Sequence, residues 1–149
     1  MSEVVVGARG PLSSKVLIVG ERPGETEAAT GRPFTGRAGA EQDRYLRRAG
    51  LNPHSIHMTN LTKDYVEGNP DPSWVDIERW SDILIKEINL QNPQFIIPVG
   101  RFAVRWFLGN DIDMDHVHGI PQRLRPELLS VFRASSSIVI LPSFHPAAG

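Results

Sequence analysis

Residues 15–36 read KVLIVGERPGETEAATGRPFTG. The first five, Lys15–Val19, form an unbroken β-branched and apolar run that stops at Gly20. A run without polar alternation suits a strand covered on both faces, as in a parallel sheet. The segment from Gly20 to about Gly36 is rich in Gly, Pro and Thr and reads as a loop leaving the carboxyl end of that strand. Downstream, a helix is predicted near Ala38–Ala49, with Leu46 and Ala49 inward and Arg44, Arg47 and Arg48 crowding its end. Gly50 suits its C′ stop, with Pro53 beyond.

The same reading continues along the chain. Ile56–Thr59 is a short strand, followed by an irregular stretch, Asn60–Ser73. Ser73 has the character of an N-cap, and Trp74, Ile77, Trp80, Leu84 and Ile88 mark one face of a helix ending before Pro93. Phe95–Val99 (FIIPV) is a second buried-strand run, weakened near Pro98. Gly100 leads into a helix over Arg101–Leu108. A long irregular region follows, and Ile138–Leu141 is the fourth strand. Strand and helix alternate throughout, the order of a doubly wound domain. The expected fold is therefore a three-layer α/β/α domain with a small, mostly parallel four-stranded sheet, spanning residues 1–149 as one unit. Ligands of such sheets sit outside the carboxyl ends of the strands. Gly20–Gly36, Asn60–Ser73 and Ser143–Gly149 fall there.

Composition narrows the chemistry. The 149 residues are 40% hydrophobic and 22% charged, as in globular proteins. Sixteen Lys+Arg face seventeen Asp+Glu, a net charge of −1. A polyanion must therefore be met by local clustering rather than a global field. Thirteen of the sixteen basic residues are Arg, suited to bidentate phosphate contact. With no cysteine, disulfides, thiolate-held metals and cysteine nucleophiles are excluded. The opening MSEVVVGARG has an apolar run of only three residues and an acid at position 3, so neither a secretory leader nor a membrane span is expected there. The expected setting is intracellular, cytoplasmic or nucleoid-associated, and the expected state a monomer.

Several residues at the predicted strand ends can carry chemistry, each with a plainer alternative. Glu21 leaves the first strand between Gly20 and the Pro23-Gly24 turn. It reads as a general base or electrostatic group, or as a solvated acid in a tight turn. A phosphate cradle is disfavoured because Glu21, Glu25 and Glu27 repel anions. Phe34, flanked by Gly31, Gly36, Arg32 and Arg37, reads as a stacking platform for a base or as an anchor of its loop on the core. Asn60 offers the donors and acceptor that read a pyrimidine edge, or serves a turn. His145, held before Pro146, is a site imidazole or a packed loop residue. His116 and His118 beside Asp111, Asp113 and Asp115 match no common metal spacing and read as a solvated loop.

Together, VGERPGETEAATGRPFTGRAG, MTNLTK, FIIPVGRFAVRWFLG and LPSFHPAAG resemble the uracil-DNA glycosylase superfamily, in particular its thermostable, family-four type. The resemblance implies a role for each matching position. Glu21 orients the attacking water and faces the developing sugar cation. Phe34 stacks on the flipped uracil, Asn60 reads its edge, and His145 lies beside the uracil O2. Glu27 helps exclude other bases, while Gly20 and Gly24 shape the pocket floor. Arg32 and Arg37 become candidates for contact with the DNA backbone. The implied activity is hydrolysis of the N-glycosidic bond of uracil in DNA, leaving an abasic site for base excision repair.

Departures from the family pattern shape the expectation. Family-four members carry four cysteines around an iron–sulfur cluster; here Asp64 and Ser81 stand near expected cysteines, and no cofactor is expected. Trp74, Trp80 and their neighbours are expected to replace the cluster's bracing. The family also continues past HPAA with an intercalating residue and a closing helix, whereas this sequence ends at Gly149. Asn60–Ser73 has no His, so irreversible capture of DNA is not expected. The rival reading is a glycosylase fold without turnover, acting as a DNA-binding or decoy module.

Overall fold

A computed structural model describes residues 3–144. Four strands, β1 (Val16–Gly20), β2 (His57–Asn60), β3 (Phe95–Pro98) and β4 (Val139–Ile140), form one sheet in the order β2-β1-β3-β4. Every pairing between them is parallel. The chain moves outward from β1 to β2 on one side, then crosses to β3 and β4 on the other. The order therefore reverses between β1 and β3, and a crevice opens at their carboxyl ends.

Alternation along β1 sorts the core into two layers. Leu17 and Val19 face α3 (Trp74–Gln91) and α4 (Arg101–Leu108), in a cluster with Leu84, Ile88, Ile96, Phe107 and Ile140. Ile18 faces the other way and packs with Leu46 of α2 (Arg37–Arg48), Met58 and Val99. Helices thus cover both faces, and the three-layer α/β/α expectation holds. On β2's outer flank the N-terminal arm pairs antiparallel, bridging Val5 to Asp64 and Arg9 to Met58. That pairing covers an edge that would otherwise present unpaired backbone groups.

The structure corrects three local expectations. The loop after β1 contains a short helix, α1 (Glu25–Thr30), with no buried residue. Trp74 does not join the inward face of α3: it is exposed and meets Phe102 edge-on, 6.4 Å between ring centroids. Ala49 is also exposed, because it closes α2 as the C-cap; Gly39, Gln42 and Leu46 are the buried positions of that helix. Pro98 closes β3, and pairing on the β4 side runs past it: Leu141 N donates to Ile96 O and Ser143 N to Pro98 O, so one rung between them is missing for want of a proline N–H.

Ser73 caps α3 as expected. Its hydroxyl accepts from Asp76 N at 3.1 Å, and Asp76 Oδ2 accepts from Ser73 N at 3.1 Å. The same Asp76 oxygen pairs with Arg22 at 2.9 Å, so this cap also anchors the loop after β1. Ser73→Ala is expected to cost about 1 kcal/mol. A lowered urea midpoint at unchanged slope would register that loss.

Candidate active site

At the carboxyl ends of β1 and β2 lies an open cleft of about 90 Å³, lined by Gly20, Glu21, Glu27, Phe34, Asn60 and Asp71 among others. The sheet register explains the meeting: Gly20 of β1 lies opposite Asn60 of β2, so both strands deliver their last residue to one spot. A methyl group on Gly20 would sit 2.5 Å from Asn60 Oδ1 and 2.7 Å from Phe34 Cζ. Only glycine lets ring and amide close on the strand end together.

Glu21 points across the crevice to α4. Its Oε2 accepts the backbone N–H of Phe102 at 2.8 Å, in the first turn of that helix. Burial raises the Glu21 pKa above its ordinary value. The Phe102 N–H opposes that rise, the Asp71 carboxylate adds to it, and Arg101 opposes it. A carboxylate offers about four acceptor sites, so the helix contact leaves room for a water.

Glu27 is engaged by backbone. One oxygen accepts from Gly24 N at 2.9 Å, the other from Thr35 N at 3.1 Å and Gly36 N at 2.5 Å. It ties the start of α1 to the loop carrying Phe34. Gly24 itself stands at the N-cap of α1, outside the cleft lining. Phe34 adopts φ 57°, a left-handed conformation uncommon for a non-glycine residue. Its ring both lines the cleft and packs on the Ile18 side of the core, so the stacking and anchoring readings describe one geometry. Arg32 and Arg37 are exposed and, among the described residues, form no ion pair. Arg22, from the same Arg-rich stretch, has a buried side chain, with its guanidinium bonded to Thr62, Pro70 O and Asp76. His145 lies outside the described residues.

The far wall of the cleft, Asn69 to Pro72, falls within the Asn60–Ser73 segment expected at the strand ends, although none of its residues was singled out. Its signal was present as the turn-forming Asn-Pro and Asp-Pro pairs. Lys63 was not singled out either. It is 2% exposed and pairs with Glu87 of α3 at 2.5 Å.

The iron–sulfur cluster implied by the resemblance does not fit these residues. Asp64, 7% exposed, accepts from Trp80 Nε1 at 2.9 Å, and the Ser81 hydroxyl donates to Glu78 O at 2.8 Å. Neither is a thiolate, and both are already satisfied. Bracing here comes from the Trp80–Asp64 bond, the N-terminal arm and an Arg79–Glu3 pair at 2.8 Å, with Trp74 taking no part in that contact. The acids of the 111–118 segment are exposed, with His116 within 3.3 Å of Asp113.

Comparison with known proteins bears on what this cleft does. The family model described as the uracil DNA glycosylase superfamily matches residues 8–148. The type-4 uracil-DNA glycosylase of Thermotoga maritima is 31% identical over 147 residues, 98% of this chain and 71% of that protein. The one of Archaeoglobus fulgidus is 30% identical over 139 residues, 93% of this chain and 68% of that protein. That of Sulfurisphaera tokodaii is 28% identical over 144 residues, 96% and 64% respectively. The chain spans about two thirds of the length of these relatives.

Proposed function

The chain belongs to the uracil-DNA glycosylase superfamily, and from that premise we propose that it hydrolyses the N-glycosidic bond of a uracil flipped out of DNA. The observation that carries this reading is the convergence of Glu21, Phe34 and Asn60 on one cleft at the carboxyl ends of β1 and β2. The reaction breaks C1′–N1, sends the bonding pair into the uracil ring, and adds a water oxygen to C1′. The sugar becomes cation-like and the base anionic. Catalysis therefore requires negative charge beneath the sugar and hydrogen-bond donors around the base.

Glu21 supplies the first requirement and accepts a proton from the attacking water. Asn60 supplies an amide for the base edge, and His145 is assigned the uracil O2. Phe34 supplies a face for stacking, and Arg32 and Arg37 are assigned to DNA phosphates. Extruding the base costs on the order of a few kcal/mol, least where it is unpaired or mispaired. Single-stranded uracil and U·G are thus the favoured substrates. The setting that follows is intracellular base excision repair.

The deciding experiment offers single-stranded U, U·G, U·A and matching T and C oligonucleotides, with abasic sites revealed by alkaline strand cleavage. Cleavage confined to the uracil strands is the expected result. Salt-dependent retention of DNA with no base release would establish the binding-module reading instead.

A pH profile tests Glu21's environment. Release requires its ionised form, so activity climbs as pH rises through its raised pKa. Asp71 is one cause of that rise, and its loss also frees Arg101, which now pairs with it at 3.2 Å. Asp71→Asn is therefore expected to move the acidic limb to lower pH. A limb that moves upward or stays in place would show that Asp71 does not act on Glu21.

A further inference from the structure

Lys63 does not line the cleft, yet two of the three partners of its ammonium, Thr59 and Asn60, belong to the strand end that does. Its ammonium donates to Thr59 Oγ1 at 2.6 Å and to the backbone carbonyl of Asn60, and pairs with Glu87 Oε1 at 2.5 Å. The Thr59 hydroxyl in turn donates to Glu87 at 3.0 Å. The three N–H donors of the ammonium thus have three partners. Glu87 keeps 18% of its side chain exposed, against 2% for Lys63.

Stability alone gives little reason for this arrangement. A buried ion pair recovers roughly what its desolvation costs, and an apolar pair of similar size often does as well or better. Orientation is what the geometry adds. The turn after β2 also holds Glu21: Leu61 N donates to Gly20 O at 2.8 Å, and Thr62 donates to Glu21 O through its N–H at 3.0 Å and its hydroxyl at 3.2 Å. Lys63 closes that turn from below.

We propose that Lys63 is a positioning residue for Asn60: anchored on Glu87 and Thr59, its ammonium holds the Asn60 peptide carbonyl and so sets how the Asn60 amide enters the cleft. The inference rests on the reading of Asn60 as the amide that meets the base. A misplacement of about 1 Å at such a group costs on the order of 100-fold in rate. A partial slackening is accordingly expected to cost about tenfold.

The charges can be removed as a pair, which separates positioning from folding. Lys63→Met alone leaves the Glu87 carboxylate without its partner and is expected to lower the melting temperature. Lys63→Met/Glu87→Gln removes both charges, keeps an acceptor for the Thr59 hydroxyl, and is expected to recover most of that loss. In the double variant, kcat for uracil release is expected to fall about tenfold with KM little changed. The Asn60 side-chain amide signals, assigned by their loss in Asn60→Asp, are expected to shift in the ¹H–¹⁵N spectrum. Release at the wild-type kcat overturns the proposal, and so does a slower rate with unmoved Asn60 signals. If the double variant does not fold, Glu87→Gln alone decides by the same two readouts, with about a threefold fall in kcat expected. A wild type that releases no uracil defeats the functional reading, and the amide signals then decide the positioning role without it.

Discussion

Glu21→Gln is expected to lower the rate of uracil release by about 100- to 10,000-fold while leaving fold and DNA affinity in place. The substitution is nearly isosteric, and the amide oxygen still accepts the Phe102 N–H that now holds Oε2 at 2.8 Å. On the proposed mechanism, what disappears is the negative charge beneath the sugar and the acceptor for the water's proton. Both act only as the glycosidic bond breaks, so the loss falls on kcat rather than KM. DNA binding is expected to hold or tighten slightly, because a carboxylate no longer faces a polyanion. Single-turnover release paired with filter binding separates these effects. Equal release by both proteins would remove Glu21 from the reaction.

Gly39→Ala is the second large effect, and its sign opposes helix propensity. Within a helix, alanine is favoured over glycine by about 0.8–1.0 kcal/mol. At this place in α2, however, the added methyl would lie 2.0 Å from the Phe34 carbonyl oxygen and 2.3 Å from its carbon. Backbone cannot rotate out of the way, and Phe34 already sits at φ 57°. Overpacking of this kind costs about 1–3 kcal/mol, which outweighs the propensity gain at most of that range. The segment that yields carries the cleft's aromatic ring, so KM for uracil-containing DNA is expected to rise together with the drop in the urea midpoint. A variant more stable than wild type, with unchanged KM, would show that α2 moves away from Phe34 at no cost.

Particular elements show why some features were legible in advance. The KVLIV and FIIPV runs, the Ser73 cap and the Gly50 stop are signals contained within a few residues, and each marks an element the structure contains. Helix α1 sent no such signal. It has six residues, none buried, and Gly24 rather than a side-chain oxygen stands at its N-cap. Trp74 kept the right spacing for the buried face of α3 yet lies exposed, because periodicity reports direction around a helix and not whether a partner waits there.

The cleft follows the same division. Glu21, Phe34 and Asn60 stood out in the chain because their types and their places after strands suit the chemistry, and the fold brings these three together. Arg22 and Lys63 did not stand out. Nothing near a basic residue in sequence says that Asp76 or Glu87, contributed by a distant helix, will take it out of solvent.

From the linear order of residues came the alternation of strands and helices, the site at the strand ends and the family. Those rest on local geometry and short motifs, which the chain carries before it folds. Only the packed molecule settled that Glu21 leans on α4, that Glu27 is taken up by backbone, and that a buried ammonium lies against Asn60. Each of these pairs groups that are far apart along the chain. Their energies come from desolvation and close approach, quantities that exist once the sheet has set its register and its helices have closed over it.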